Sequence, residues 1–177
     1  MTKFINCEHL RTNFRKALLL ILFVIFSSSI PAQVSRVDIQ CSGLTCSMCS
    51  KAINKSLKSL DFVDKIEPNI KTSTFGLTFK GGKSIDFDLL KKKIEDAGYS
   101  VANFVATVQF QNATTIANQA ISVGDKTFEI SNSKDLLLSG TRLVRVIDKG
   151  FVPAKEYKKM INPFITSPKG TYHVTIS

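Results

Sequence analysis

The sequence predicts an α+β protein: a strand, helix, strand, strand, helix, strand unit over residues 34–110, followed by a small β-rich subdomain over residues 119–177. Three observations carry this expectation. Several short runs alternate apolar and polar residues at period two, as half-buried strands do. Two stretches between them space their apolar residues by three and four instead, as helices with one buried face do. Glycine, proline and small polar residues punctuate the runs in an order that separates one element from the next.

The first run, "VSRVDIQCSG", sets Val37, Ile39 and Cys41 on one face and Arg36, Asp38 and Gln40 on the other. Cys41 therefore points toward the core. From residue 47 to residue 60 the apolar positions Ile53, Leu57 and Leu60 fall on one helical stripe, with Lys51, Lys55 and Lys58 on another. "FVDKIEP" reads as a short strand, and "TSTFGLTF" as a second in which Phe75, Leu77 and Phe79 alternate before the Gly81–Gly82 turn. A second helix starts near Asp86, carries Phe87, Leu90, Ile94 and Ala97 at helical spacing, exposes Lys91, Lys92 and Lys93, and stops at Gly98. "YSVANFVATVQF" closes the unit, with Phe104, Ala106, Val108 and Phe110 alternating against Val105, Thr107 and Gln109. This order is the split βαβ, or ferredoxin-like βαββαβ, sandwich: two helices on one face of a four-stranded antiparallel sheet. The turn from first strand to first helix is then a solvent-facing tip.

Ahead of this unit, Arg11, Arg15 and Lys16 precede the apolar residues 17–26, and small residues follow as far as Ala32. That order of charge, apolar core and small residues predicts an export signal over residues 1–32, cleaved near Ala32 or Gln33. The apolar core is short for a membrane span, and no cysteine follows it as a lipid-anchor site. A secreted or periplasmic chain with no stable membrane insertion is expected. Without residues 1–32 it carries 20 Lys plus Arg against 13 Asp plus Glu, a net charge of +7. An exported protein rarely meets nucleic acid, so the charge points to solubility or to an acidic protein partner.

Residues 111–118 are polar and read as a connector. "QAISV", "KTFEI", "TRLVRVI" and "TYHVTI" follow as short strands, and "PAKEYKKMI" as one or two helical turns, which together suggest a compact subdomain such as a small barrel. His173 sits alone in the last strand and reads as a structural or a surface residue, not a ligand. The lysines of "AKEYKK" read as a solvated face, and no motif in this third names a function.

Three cysteines remain after the signal, Cys41, Cys46 and Cys49, all within nine residues. A disulfide scaffold would spread an even set along the chain, so these form a site. In "GLTCSMCSKAI" the pair Cys46 and Cys49 straddles a loop and a helix start, where unpaired amides and the helix dipole favour thiolates. Two soft sulfur donors suit a soft ion, but the same spacing serves a redox or a structural disulfide. A thioredoxin-like reading expects a neighbouring tryptophan, and the chain has none.

The stretch resembles the heavy-metal-associated family, whose mark is an apolar strand, Gly-Met-Thr-Cys-x-x-Cys, and a later helix ending in Gly-Tyr. The matching residues are Gly43, Leu44, Thr45, Cys46 and Cys49, then "IEDAGYSV" over residues 94–101. The resemblance implies that Cys46 and Cys49 are metal ligands, that Gly43 and Thr45 shape the loop, and that Tyr99 lies near it. Leu44 departs from the family methionine and is read as the same kind of buried apolar anchor. Cys41 occupies a core position, with a third thiolate as the sharper alternative. The resemblance further implies one soft ion, Cu(I) first, with Hg(II), Ag(I) or Zn(II) sharing the ligand type. It also implies a partner that exchanges metal through a similar Cys-x-x-C site. The expected function is an exported Cu(I) chaperone or scavenger and not an enzyme; a thiol–disulfide redox protein and a cell-envelope interaction module are the alternatives.

Overall fold

In β1 (Val34–Ser42) the alternation read from sequence buries Val37, Ile39 and Cys41 on one face, and Val34 is buried beyond a register shift at the start of the strand. A computed structural model describes this strand and the rest of residues 34–44, 46–115, 120–131, 136–160 and 170–176. The expected export signal lies outside the described residues, as does Thr45.

Helix α1 (Ser47–Lys58) buries Ile53 and Leu57 completely, with the small Ser50 beneath its first turn. β2 (Val63–Asn69) and β3 (Thr74–Phe79) form an antiparallel pair, in which Phe75 and Leu77 supply the buried side chains of β3. Helix α2 (Phe87–Asp96) begins where the Asp86 carboxylate accepts the Leu89 N–H at 2.9 Å, which satisfies one of the free donors of its first turn. Its buried stripe is Phe87, Leu90 and Ile94. The two helices lie against each other, with the Ser56 hydroxyl donating to the Lys93 carbonyl at 2.7 Å. β4 (Ser100–Thr115) pairs antiparallel with β1. The strand order β2-β3-β1-β4, with every pair antiparallel, is the ferredoxin-like arrangement the sequence predicted.

The C-terminal third is β-rich, but its strands continue this same sheet. β4 runs on to Thr115, so residues 111–115 of the expected connector are strand; residues 116–118 lie outside the described residues. Their polar sequence breaks the period-two pattern. What holds them is a partner strand, β7 (Leu136–Val146), paired from Val105↔Arg145 to Thr115↔Leu136 across a register shift between Phe110 and Ala113. β5 (Ala120–Val123), β6 (Lys126–Ile130) and β8 (Thr171–Ile176) complete one eight-stranded sheet in the order β2-β3-β1-β4-β7-β8-β6-β5. All pairs are antiparallel except β6 with β8.

An independent barrel is therefore replaced by a shared apolar layer. Phe87 of α2 lies 4.9 Å from Phe104 of β4, 5.1 Å from Tyr172 of β8 and 6.5 Å from Phe128 of β6, ring centre to ring centre. These tilted ring contacts add to the burial of each ring. Leu138, Val144, Val146 and Val174 belong to the same core as Ile39 and Leu77. All these elements fall in one compact unit, Ala32–Ser177, with no division at the expected domain boundary.

His173 takes the inward of the two places the sequence left open for it, core or surface. It is buried, with Nδ1 2.7 Å from Asp148 and Nε2 3.1 Å from Glu129. Helix α3 (Ala154–Met160) buries no residue and is tied to β7 by the Glu156–Arg145 ion pair at 2.8 Å.

Candidate metal centre

The chain leaves β1 at Ser42, turns through Gly43 at φ +76°, and enters α1 at Ser47. A left-handed φ is costly for residues with a Cβ and free for glycine. Leu44 packs partly buried against the core, as an apolar anchor should. Cys46 is the helix N-cap with extended backbone, and its Sγ accepts the Cys49 N–H at 3.3 Å. A thiol here takes the place that serine or aspartate oxygens usually fill. Cys49 is the third residue of α1, so cap and helix turn bring both sulfurs to the helix start.

Cys46 is exposed and Cys49 half-buried, both as free thiols. The Cys49 thiol lies below its ordinary pKa, because its thiolate accepts hydrogen bonds from Cys46 first, then from the Tyr99 hydroxyl, and from backbone amides. The Tyr99 hydroxyl is correspondingly pushed up to about 12 by that bond.

The backbone after α2 explains why Tyr99 arrives there. The Gly98 N–H donates to the Glu95 carbonyl at 2.9 Å and the Tyr99 N–H to the Ile94 carbonyl at 3.1 Å, with Gly98 at φ +88°. This is a Schellman ending, and it directs the residue after the glycine back toward α1. The Gly-Tyr signal in the sequence thus has a local mechanical cause.

Cys41 does not join the pair. It is 3% exposed in the core, and burial pushes its thiol up to about 12. Among the described residues no group of three or more His, Cys, Asp or Glu side chains is placed to hold a metal ion. The donor set at the tip is two sulfurs, which matches a soft ion of low coordination number.

Sequence reasoning missed the turn between β2 and β3. Ser73 there has φ +54°, its carbonyl accepts the Cys41 N–H at 2.9 Å, and its hydroxyl donates to the Leu44 carbonyl at 3.3 Å. Nothing in "KTSTF" marks which polar residue takes the left-handed position. Beside the site, α1 carries no acidic residue, and its exposed Lys51, Lys55 and Lys58 border a groove of about 370 Å³ floored by Pro68 and Ile70.

The heavy-metal-associated domain matches residues 38–100. The mercuric transport protein periplasmic component of Pseudomonas fluorescens is 32% identical over 68 residues, 38% of this chain and 74% of that protein. The chain belongs to the heavy-metal-associated family. A probable copper-exporting P-type ATPase of Archaeoglobus fulgidus is 39% identical over 70 residues, which is 40% of this chain and only 9% of the ATPase. A solved CopZ metallochaperone, 25% identical, is covered over its full length and 38% of this chain, with a TM-score of 0.36. In this heavy-metal-associated chain the match ends at the start of β4, and the strands after it are an addition to the family unit.

Proposed function

We propose that the protein is an exported carrier of one soft metal ion, held between Cys46 and Cys49 and handed by thiolate exchange to a partner with its own Cys-x-x-C site. The carrying observation is the pair of free thiols at the start of α1, one exposed and the other lowered in pKa by its neighbours. Cys46 and Cys49 supply the sulfurs, Gly43 and Leu44 shape the approach, and Tyr99 donates to the Cys49 thiolate. In the transfer step a partner thiolate forms a new sulfur–metal bond, one of the two bonds to this chain breaks, and the freed sulfur leaves as thiolate. No electron changes hands.

Cu(I) is the first candidate cargo because two thiolates satisfy it, with Hg(II), Ag(I) and Zn(II) sharing the donor type. The names of the relatives, a copper exporter and a mercuric transport protein, support soft-metal handling. The lysine-bordered groove beside α1 supports an acidic partner, since opposite charge speeds encounter. A periplasmic or secreted location is supported by the signal-like residues 17–26 and by the periplasmic relative. Among the described residues no helix is long and apolar enough to cross a membrane. The role is that of a carrier and not of an enzyme.

The lowered Cys49 pKa also favours a second reading, a thiol–disulfide redox protein. Anaerobic titration of the reduced protein with Cu(I) against a competing chelator separates the two. One equivalent bound, abolished in Cys46→Ser/Cys49→Ser and retained in Cys41→Ser, supports the carrier. Binding that survives the double change sinks it, and insulin reduction by a protein that fails to take Cu(I) selects the redox reading.

A further inference from the structure

We infer that Ser73 is a positioning residue for the thiol pair, acting through the segment that leads into Cys46. This rests on the reading of Cys46 and Cys49 as the metal ligands. Ser73 occupies the turn between β2 and β3 with φ +54°, and among the described residues it is the one non-glycine residue in that region of backbone space. Glycine or asparagine would sit there more easily. What serine brings is a hydroxyl, and that hydroxyl donates to the carbonyl of Leu44 at 3.3 Å, two residues before Cys46.

The sheet supports this segment from one side only. Pairing of β1 with β3 ends at Gln40↔Thr74, whereas pairing of β1 with β4 continues, past a register shift between Gln40 and Cys41, as far as Ser42↔Ser100. Three bonds from the β2–β3 turn take over. The Gln40 amide donates to the Thr72 carbonyl at 3.2 Å, the Cys41 N–H to the Ser73 carbonyl at 2.9 Å, and the Ser73 hydroxyl reaches furthest along, to Leu44. Leu44 is thereby gripped twice, its side chain by the core and its carbonyl by Ser73. A loop already held in place loses less freedom when its two sulfurs close on an ion. Ser73 thus sets how much order the metal site has before metal arrives.

The test uses the full reduced chain and its Ser73→Ala and Ser73→Gly forms. Both changes remove the hydroxyl, but only glycine relieves the left-handed backbone. Hydrogen exchange without metal is expected to quicken in both variants at residues 43–46 while β3 and β4 keep their protection. Affinity for Cu(I), by chelator competition, is expected to fall about two- to tenfold in both, the equivalent of one net hydrogen bond. Unchanged exchange at the loop overturns the proposal. So does wild-type behaviour in Ser73→Gly alone, which would assign the effect to backbone conformation, and so does acceleration spread evenly over the sheet, which would mean general destabilisation. Should the wild-type chain refuse Cu(I), the carrier reading fails, and the exchange comparison still decides whether Ser73 orders the loop.

Discussion

Cys41 and Cys49 stand eight residues apart and present the same thiol to opposite surroundings. Cys41 ends a strand's inward face, has its side chain buried in the core, and is pushed up to about 12 by loss of water. Cys49 sits in the first turn of α1, half-exposed, and is lowered by hydrogen bonds from Cys46, Tyr99 and the backbone. Reactivity in this chain is therefore set by one backbone event, the exit from β1 into the helix start, and not by the residue type. The lesson is that cysteine number says little until the side of the strand or helix is known.

The contrast is most open to attack through chemical labelling. At pH 8 a thiol at about 12 is ionised in roughly one molecule in ten thousand, and burial excludes the reagent besides. Iodoacetamide should modify Cys46 and Cys49 in the native protein and reach Cys41 only after denaturant is added, as read by peptide mass. Native labelling of Cys41 at a rate comparable to Cys49 would erase the distinction.

A smaller effect concerns alkaline stability. The folded state raises the Cys41 pKa from 9.0 to about 12, so its neutral form is favoured by folding below pH 9 and that contribution is lost as pH climbs from 9 toward 12. Cys41→Ala removes the group that titrates. Denaturant midpoints of wild type and Cys41→Ala, measured across this window, should converge or cross as the wild type falls faster. Parallel curves would show that Cys41 does not titrate through unfolding.

The finest adjustment is at Tyr99. Its hydroxyl stabilises the Cys49 thiolate, so Tyr99→Phe should move the alkylation midpoint of Cys49 upward toward the ordinary thiol value, and slow labelling at neutral pH. Cys41 should be indifferent. A midpoint that stays put would mean that Cys46 and the helix start do all of the lowering.

How much of this was readable beforehand follows from what each pattern encodes. Alternation in "VSRVDIQC" reports sidedness, which is why the sequence alone puts Cys41 on the core face. Local helical spacing and Gly98 likewise located both helices within a few residues. Partner choice is a different kind of information. Thr171–Ile176 reads as a strand from its own residues, but nothing in it says that β7 will lie on one side and β6, in parallel, on the other. The polar residues 111–115 carry no alternation at all, and only the presence of β7 makes them strand. Ser73 was invisible for a related reason, since its bond to Leu44 spans 29 residues and depends on two turns meeting at the same tip.

One consequence of the continued sheet concerns how the protein behaves in a crowd. In a four-stranded arrangement β4 would be a border, and its 16 residues would offer a long row of unpaired amides and carbonyls to any passing chain. Pairing with β7 closes that row. The borders that remain among the described strands are β5, four residues long, and β2, which carries Pro68 and the charges of Lys65 and Glu67. Short length, proline and charge all discourage a foreign strand from docking. The added third thus gives a thiol-bearing protein a poor template for edge-to-edge aggregation.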